Sequence, residues 1–159
     1  GRTFKGVLYF GLMLTSDGPK VLEYNARFGD PETQVVLPRL KTDLPDIMEA
    51  VIEERLDRIT VEWEEDTAVC VVIASGGYPV KYEKGFPIHG LEEIEKVNDI
   101  QVFHAGTKRA GTGLVTDGGR VLGVTAMGKT LKEAAARVYR HIGTINFKGM
   151  HYRKDIGTK

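Results

Sequence analysis

The most informative part of this chain is residues 23–34, which read Glu-Tyr-Asn-Ala-Arg-Phe-Gly-Asp-Pro-Glu-Thr-Gln. The apolar pair Val21-Leu22 before it is typical of a strand, and residues i and i+2 of a strand share one face. Glu23 and Asn25 are therefore expected to point the same way, with Arg27 following where the strand ends. A carboxylate and an amide oxygen suit Mg²⁺, which takes hard oxygen ligands and shares them with substrate phosphates. Because an adjacent arginine can stabilise phosphoryl charge, the segment predicts half of a nucleotide-phosphate site.

Each residue of this set also has an ordinary explanation. Glu23 could lie on a solvated strand face, and Asn25 could be a turn former. Arg27 could pair with Asp30 or Glu32. Taken singly, these explanations are favoured over a functional role. The combination favours a site, because a surface strand does not need an acid, an amide, an arginine and an acidic turn in succession.

The end of the same segment predicts the start of a helix. Asp30 is a residue type that caps free N–H groups, and Pro31 is tolerated at the first helical position. We therefore predict a helix over residues 31–40, which Pro38 kinks or ends. Such an N-terminus carries partial positive charge and could hold an anion.

These residues resemble a known family. The run EYNARFGDPETQ is similar to the signature of the phosphoribosylamine–glycine ligase (glycinamide ribonucleotide synthetase) family, ATP-grasp enzymes of purine biosynthesis. Five further segments resemble family blocks in the family's order, and together they cover essentially the whole chain. They are residues 6–13, 74–79, 103–107, 118–122 and 152–157.

The resemblance implies a two-step reaction. ATP phosphorylates the carboxylate of glycine, and the amine of 5-phosphoribosylamine then attacks the acyl phosphate to give glycinamide ribonucleotide. In this scheme Glu23 and Asn25 hold Mg²⁺ or Mn²⁺, and Arg27 stabilises the transferring phosphoryl group. Asp30 and Glu32 line the side of the site that takes phosphoribosylamine and glycine.

The resemblance covers only the C-terminal part of the family, and the sequence lacks a start Met. We therefore expect a fragment that carries the metal ligands but no adenine pocket, is inactive alone and partners the missing N-terminal part of the same enzyme. One alternative is a non-catalytic docking or structural piece. Another is a different ATP-grasp carboxylate ligase, such as a biotin carboxylase, which shares Glu-x-Asn-x-Arg but is not expected to continue Phe-Gly-Asp-Pro-Glu.

The amino-acid composition limits which other classes of protein the chain could belong to. The 159 residues are 42% hydrophobic and 28% charged, enough for a core of one or two small domains. Twenty-two Lys+Arg balance 22 Asp+Glu, so no net field favours nucleic acid or an anionic membrane. The single cysteine, Cys70, excludes an internal disulfide, and its apolar surroundings predict a buried side chain rather than a nucleophile. No apolar run approaches the ~20 residues of a membrane span, and the expected location is the cytoplasm.

The fold class predicted from these patterns is α+β, with a first domain over residues 1–62 that forms the C-terminal part of an ATP-grasp core. Its hairpin is predicted at residues 5–14 and 20–26. Asp43 is expected to cap a second helix that has Pro45 in its first turn. The apolar stripe of that helix comprises Ile47, Val51, Ile52, Leu56 and Ile59.

Residues 63–159 predict a β-rich C-terminal domain with one main helix. Strands are expected at residues 67–75, 100–106, 112–116 and 120–127. Thr130 and Glu133 form a capping box that opens the helix. The apolar residues of that helix recur at helical spacing and predict core packing: Leu131, Ala134, Ala135, Val138 and Ile142.

Three further features of this half are ambiguous. Gly76-Gly77 favours a tight turn with positive φ over a phosphate loop. For the turn at Gly118-Gly119 the two interpretations are balanced, because Arg120 could reach a substrate phosphate. The four histidines show no metal spacing, and His104 could face a substrate cleft or be a hydrogen-bonded strand residue. His141 suits the C-terminal end of the predicted helix.

Overall fold

The computed structural model describes residues 1–158. It confirms the α+β class, and the chain divides into two compact units, Gly1–Glu64 and Glu65–Lys159. The assignment of domains to residues 1–62 and 63–159 stays a prediction.

The first unit begins with an antiparallel hairpin of β1 (Tyr9–Thr15) and β2 (Gly18–Asn25). The first strand starts at Tyr9, later than the predicted residue 5, and β2 starts at Gly18, earlier than the predicted residue 20. The Thr15 hydroxyl closes this turn, because it donates to the Gly18 carbonyl at 2.8 Å. A bulge between Gly11 and Leu12 shifts the register.

The predicted helix over residues 31–40 is wrong in its extent. The helix α1 spans only Thr33–Val36, and a 3₁₀ turn follows at Leu37–Arg39, where Pro38 lies. Asp30 does not cap it: the N-cap is Glu32, and the Thr33 amide and hydroxyl both bond to the Gly29 carbonyl. Because the helix is a single turn, the predicted anion site at its N-terminus has no support.

The second helix, α2 (Leu44–Ile52), starts after Asp43 and has Pro45 in its first turn, as predicted, although the Asp43 side chain makes no capping bond. It ends before Leu56 and Ile59, which the predicted stripe included. Glu54 has a positive φ of 58°, and the Arg55 amide bonds to the Ala50 carbonyl at 2.9 Å. This is the Schellman arrangement, which satisfies the last carbonyls and turns the chain away from the axis.

The second unit is built on one antiparallel sheet and one long helix. Its remaining elements, in chain order, are β3 (Thr67–Ala74), α3 (Leu91–Ile94), β4 (Ile100–His104), β5 (Thr107–Ala110), β6 (Gly113–Thr116), β7 (Arg120–Gly128), α4 (Leu131–His141) and β8 (His151–Tyr152). The four-stranded sheet has the order β4-β7-β3-β8, and β5 pairs with β6 as a separate hairpin.

Side chains of β3 point alternately to the two faces of the sheet, and one of these faces lies in the core. Val69, Val71 and Ile73 are buried, whereas Cys70 between them is half-buried, so the prediction of a buried cysteine is wrong. Helix α4 covers this sheet with the predicted positions Ala134, Ala135 and Val138, and Ile142 follows directly after the helix; all four are buried. The prediction is wrong for Leu131, which is 40% exposed at the first position of the helix. Each large apolar side chain removed from water stabilises the fold by roughly 1.5–3 kcal/mol.

The predicted cap of α4 by Thr130 is confirmed, and Glu133 folds back over the helix start as in a capping box, although onto the amide of the residue before the cap. The Thr130 hydroxyl accepts from the Glu133 amide at 3.2 Å, and the Glu133 carboxylate accepts from the Lys129 amide at 3.0 Å. The predicted strand over residues 100–106 stops at His104, because Ala105 and Gly106 leave the ladder for a turn. Within residues 1–158 no helix is both long enough and apolar enough to cross a membrane.

Candidate metal and substrate site

One face of the first hairpin carries the predicted metal ligands. In the ladder Tyr9 lies opposite Asn25, and Gly11 lies opposite Glu23. Since alternate strand residues share a face, these four residues are neighbours. The Asn25 amide donates to the Glu23 carboxylate at 3.1 Å, which confirms the predicted common face of Glu23 and Asn25.

Gly11 makes room for the Glu23 side chain. A Cβ atom added to Gly11 would lie 2.9 Å from the Glu23 Cγ atom, closer than real Cβ contacts. The Glu23 side chain therefore lies across a strand position that has no side chain of its own. Sequence reasoning did not identify this role of Gly11, because it depends on the register of two strands.

Glu32 joins this face from the loop that follows β2. Its carboxylate packs on Gly29, where an added Cβ atom would lie 2.5 Å from Oε2. Partial burial raises the pKa of Tyr9, and the nearby negative charges of Glu32 and Glu23 raise this pKa further.

Sequence reasoning missed Tyr9 as a member of the site. The signal that could have found it is its place on β1, two residues before Gly11 and on the same face. Recognising that signal requires the pairing of Tyr9 with Asn25, which only the folded hairpin provides.

Arg27 and Asp30 are held by contacts of the loop itself. Arg27 is exposed and donates to the Phe28 carbonyl at 2.7 Å. Asp30 is also exposed, and its carboxylate accepts from the Gln34 amide at 3.1 Å. The structure thus brings Glu23 and Asn25 together, places Glu32 near Tyr9, and leaves Arg27 and Asp30 on the adjoining loop.

The donor set fits a hard divalent cation only in part. Glu23 and Asn25 supply a carboxylate and an amide, which are oxygen ligands of the kind that Mg²⁺ takes. The part of the chain that the structure describes holds no group of three or more His, Cys, Asp or Glu side chains suited to a metal ion. A cation at this face would therefore need further oxygen ligands, such as phosphates and water.

The ambiguous features of the second unit have structural roles. Gly77 has a positive φ of 90°, as predicted for a turn, and the Ser75 hydroxyl donates to the Gly118 carbonyl at 2.8 Å. Gly119 lies against the Tyr78 ring and leaves no room for a Cβ atom there. His104 is exposed and its ring contacts the Thr107 hydroxyl at 3.1 Å. Whether Arg120, at the start of β7, reaches a substrate phosphate stays a prediction.

Comparison with known families identifies the chain. The family model described as "Phosphoribosylglycinamide synthetase, C domain" matches residues 68–159. The chain belongs to the phosphoribosylglycinamide synthetase family. The model described as "Phosphoribosylglycinamide synthetase, ATP-grasp (A) domain" matches residues 1–33, a range that contains all five predicted site residues.

Individual relatives of this synthetase family support the same assignment. The phosphoribosylamine–glycine ligase of Caldanaerobacter subterraneus is 56% identical over 98% of this chain and 37% of its own length. The trifunctional purine biosynthetic protein adenosine-3 of Gallus gallus is 53% identical over 99% of this chain and 16% of its own length.

A solved structure matches as well. The crystal structure of phosphoribosylamine–glycine ligase from Thermotoga maritima aligns with a TM-score of 0.71 and 36% identity, over 93% of this chain and 36% of that one. The family recognised from the sequence is therefore confirmed. The chain spans about 37% of the length of the C. subterraneus relative.

Proposed function

We propose that this chain supplies the metal-binding part of a phosphoribosylamine–glycine ligase, an ATP-dependent enzyme that joins glycine to 5-phosphoribosylamine in purine biosynthesis. The observation that carries the proposal is the hydrogen-bonded pair of Glu23 and Asn25 on one hairpin face, within the residues that match the ATP-grasp domain. The C. subterraneus relative, named for this activity, is 56% identical. We place the enzyme in the cytoplasm.

The proposed reaction has two steps. A glycine carboxylate oxygen attacks the γ-phosphorus of ATP, the bond to ADP breaks, and glycyl phosphate forms. The amine of phosphoribosylamine then attacks the acyl carbon, phosphate leaves, and the amine loses a proton as glycinamide ribonucleotide forms. The second step needs the nucleophile and the acyl phosphate close together, because positioning supplies much of the rate in such reactions.

In this proposal Glu23 and Asn25 hold a divalent cation, Mg²⁺ or Mn²⁺. When bound, such an ion neutralises charge on the ATP phosphates and fixes their geometry. The hydrogen bond between the Asn25 amide and Glu23 orients both side chains, so the chain presents them in one direction. Gly11 keeps the space in which the Glu23 side chain lies.

Arg27, Asp30 and Glu32 are proposed to act on the reacting groups. The guanidinium of Arg27 has five N–H donors, one of which goes to the Phe28 carbonyl, and it would stabilise the transferring phosphoryl group. Asp30 and Glu32 would line the phosphoribosylamine and glycine side. Carboxylates suit this role because ribose hydroxyls and the substrate amine are hydrogen-bond donors.

The proposed partner is the part of the ligase that this chain does not match. In the first unit Ala50 is the one described hydrophobic residue that is fully buried, whereas Leu14, Leu22 and Tyr24 are 83%, 63% and 64% exposed. This unit also has an apolar groove of about 580 Å³ between α2 and the start of the chain. Surfaces of this kind are typical of interfaces, and we propose that the remaining part of the ATP-grasp domain covers them.

Reconstitution tests the proposal. A complementary polypeptide would carry the part of the C. subterraneus ligase that this chain does not match. We call this chain mixed with or joined to that polypeptide the reconstituted ligase. We expect ADP release that requires both glycine and freshly generated phosphoribosylamine in the reconstituted ligase, and none from either polypeptide alone.

Two results would contradict the proposal. A reconstituted ligase that uses another small carboxylic acid in place of glycine would favour a different ATP-grasp ligase. An association of the two polypeptides without any ADP release would favour a non-catalytic docking role for this chain. Association is measured separately by analytical ultracentrifugation, so binding and chemistry are scored independently.

A further inference from the structure

We propose that the second unit contains a binding site for a phosphate monoester, formed by Lys84, Lys108 and the backbone amide of Gly118. The inference rests on the proposed ligase function and extends it, since the ligand would be the 5-phosphate of phosphoribosylamine. The residues proposed so far for that substrate, Asp30 and Glu32, are acidic and repel a phosphate group. The 5-phosphate therefore requires positively charged groups of its own.

The two lysines lie on opposite sides of one strand. The strand β6 pairs with β5 on one side, and the segment of residues 85–88 bonds to its other side. Lys108 is part of β5, Lys84 directly precedes the segment 85–88, and Asp117 directly follows β6. Three neighbouring segments thus bring these side chains to the same end of β6.

The charges at this end of β6 do not balance. The ammonium nitrogens of Lys84 and Lys108 lie 3.6 and 3.5 Å from the same oxygen, Oδ1 of Asp117. Both distances are longer than the usual hydrogen bond of about 2.9 Å, so each ammonium group keeps donors for another oxygen. The two lysine side chains are 51% and 55% exposed, so a ligand can reach them from solvent. A phosphate dianion would supply the negative charge that a single carboxylate does not.

The turn after Asp117 offers a backbone donor. Within residues 1–158 the amide of Gly118 donates no hydrogen bond, whereas its carbonyl accepts from the Ser75 hydroxyl at 2.8 Å. A Cβ atom added to Gly106 would lie 2.7 Å from the Gly118 nitrogen, so a larger residue at position 106 would cover this amide. Backbone amides that point outward from a turn bind anions. The Gly118 amide directly follows the residue on which both lysines converge.

Asp117 has two opposite effects on such a ligand. Its carboxylate keeps the ammonium groups of Lys84 and Lys108 together, but it also repels a phosphate that binds to them. A purely structural cluster would use these ion pairs only to hold the three segments together. Removal of the Asp117 charge therefore distinguishes the two roles, because it should strengthen phosphate binding only if the cluster is a phosphate site.

A titration of this chain with ribose 5-phosphate tests the site directly. Isothermal titration calorimetry measures the affinity, and the chemical shift of the Gly118 amide reports contact with the phosphate. Lys84→Met and Lys108→Met should each weaken binding roughly tenfold, the effect of one hydrogen bond to a charged group. Asp117→Asn should strengthen binding, because it removes a competing negative charge and keeps the size of the side chain.

Lys132→Met is the matched control, since Lys132 is an exposed lysine of the same unit on α4. It should change the affinity by less than about twofold, as expected of a surface substitution outside the site. Equal affinity of the wild type and both Lys84→Met and Lys108→Met would overturn the proposal. A loss of binding in Asp117→Asn as large as in the lysine variants would also overturn it, because the cluster would then be structural.

Kinetics of the reconstituted ligase identify which phosphate group the site binds. We expect Lys84→Met and Lys108→Met to raise the KM for phosphoribosylamine roughly tenfold and to leave the KM for ATP and for glycine within about twofold. A rise in the KM for ATP alone would assign the site to nucleotide phosphates and overturn the assignment to the 5-phosphate. Absence of glycine-dependent ADP release in the wild type would contradict the ligase function. Binding of ribose 5-phosphate to this chain would still decide whether the phosphate site exists.

Discussion

Glu23 is the residue on which the metal assignment depends most directly. Its carboxylate accepts from the Asn25 amide and lies over Gly11, and its side chain is exposed. An exposed acid of this kind adds little to folding. The structure therefore allows its effect on chemistry to be separated from its effect on stability.

We expect Glu23→Gln to lower the turnover of the reconstituted ligase by a factor on the order of 10², because it removes ligand charge at the reacting phosphates without changing size. Stability should change by less than about 0.5 kcal/mol, as for other surface substitutions. Steady-state ADP release and urea unfolding measure the two quantities. Glu64→Gln, an exposed acid of the same unit, is the control and should change neither. Turnover within a few fold of wild type would rule out Glu23 as a metal ligand.

A second prediction at this scale concerns pH. Lys5 lies 2.9 Å from the Glu54 carboxylate, and their hydrogen bond, followed by the lysine charge, lowers the pKa of Glu54. A lowered pKa in the folded state means that the pair stabilises the fold above the usual glutamate pKa. This contribution is lost as pH falls through the lowered value. Both side chains are solvent-accessible, so the effect on stability is small.

The measurement is an NMR titration of the Glu54 side chain in the reconstituted ligase. Lys5→Met should raise the Glu54 pKa to the usual range, because it removes the donor and keeps the aliphatic stem. Lys20→Met, which alters a lysine on β2 instead, should leave it unchanged. If the Glu54 pKa were the same in Lys5→Met and in the wild type, the ion pair would not persist in solution.

How far the site was predictable depends on the distance in sequence between the residues involved. Glu23 and Asn25 are two residues apart on one strand, so their common face followed from strand geometry alone. Tyr9 and Gly11 reach the same face only through the register of β1 against β2, which includes a bulge. Local pattern carries no information about that register. The sequence therefore predicted the common face of Glu23 and Asn25 and did not predict that Tyr9 and Gly11 share it.

At the scale of elements, the start of helix α4 offers a direct test of the role of the Thr130 cap. This cap is recognisable from the local sequence, and the helix that it begins packs on the core of the second unit. Thr130→Ala should destabilise that unit by about 1 kcal/mol, the usual cost of losing an N-cap hydroxyl. Urea unfolding followed by the methyl resonances of Val138, which is fully buried in α4, measures it. Lys132→Ala, at an exposed position of the same helix, should stay within about 0.5 kcal/mol of wild type. Equal unfolding of Thr130→Ala and wild type would contradict a stabilising role of the cap.

The long elements were predictable and the short ones were not. The strands β3 and β7 and the helix α4 carry apolar alternation or helical spacing over eight to eleven residues. By contrast α3, β5 and β8 have two to four residues each, too few to show a period. β8 exists because His151 and Tyr152 pair with the end of β3. Such elements are stabilised by partners that are remote in sequence.

The tail after β8 shows a related difference. An ion pair lies in this tail, since Arg153 and Asp155 form two hydrogen bonds at 2.6 and 2.9 Å. The tail is also held by Tyr139 of α4, whose hydroxyl donates to the Arg153 carbonyl and accepts from the Ile156 amide. This backbone contact anchors the tail more firmly than an exposed ion pair can.

At the scale of the whole molecule, the two units differ in how much apolar surface they bury. The second unit has a continuous core around β3, β7 and α4. Among the described residues of the first unit, full burial of a hydrophobic side chain is limited to Ala50, and its hairpin is two-stranded. A two-stranded hairpin without a covered apolar face is marginally stable in water. The units should therefore differ in local stability.

Hydrogen exchange tests this expectation on the chain as it stands. Amides of β1, β2 and α2 should exchange with little protection. The protection of amides in β3 and β7 should approach the value set by global unfolding, because regions that bury more apolar contact open locally less often. Addition of the complementary polypeptide should raise protection in the first unit. The protection of β3 and β7 should not change, so these strands serve as the internal control. Mass spectrometry with and without that polypeptide resolves both units in one experiment. If β1 and β2 were as protected as β3 and β7 in the chain alone, the first unit would be stable without a partner. The exposed side chains Leu14 and Leu22 would then no longer argue for an interface with the rest of the ligase.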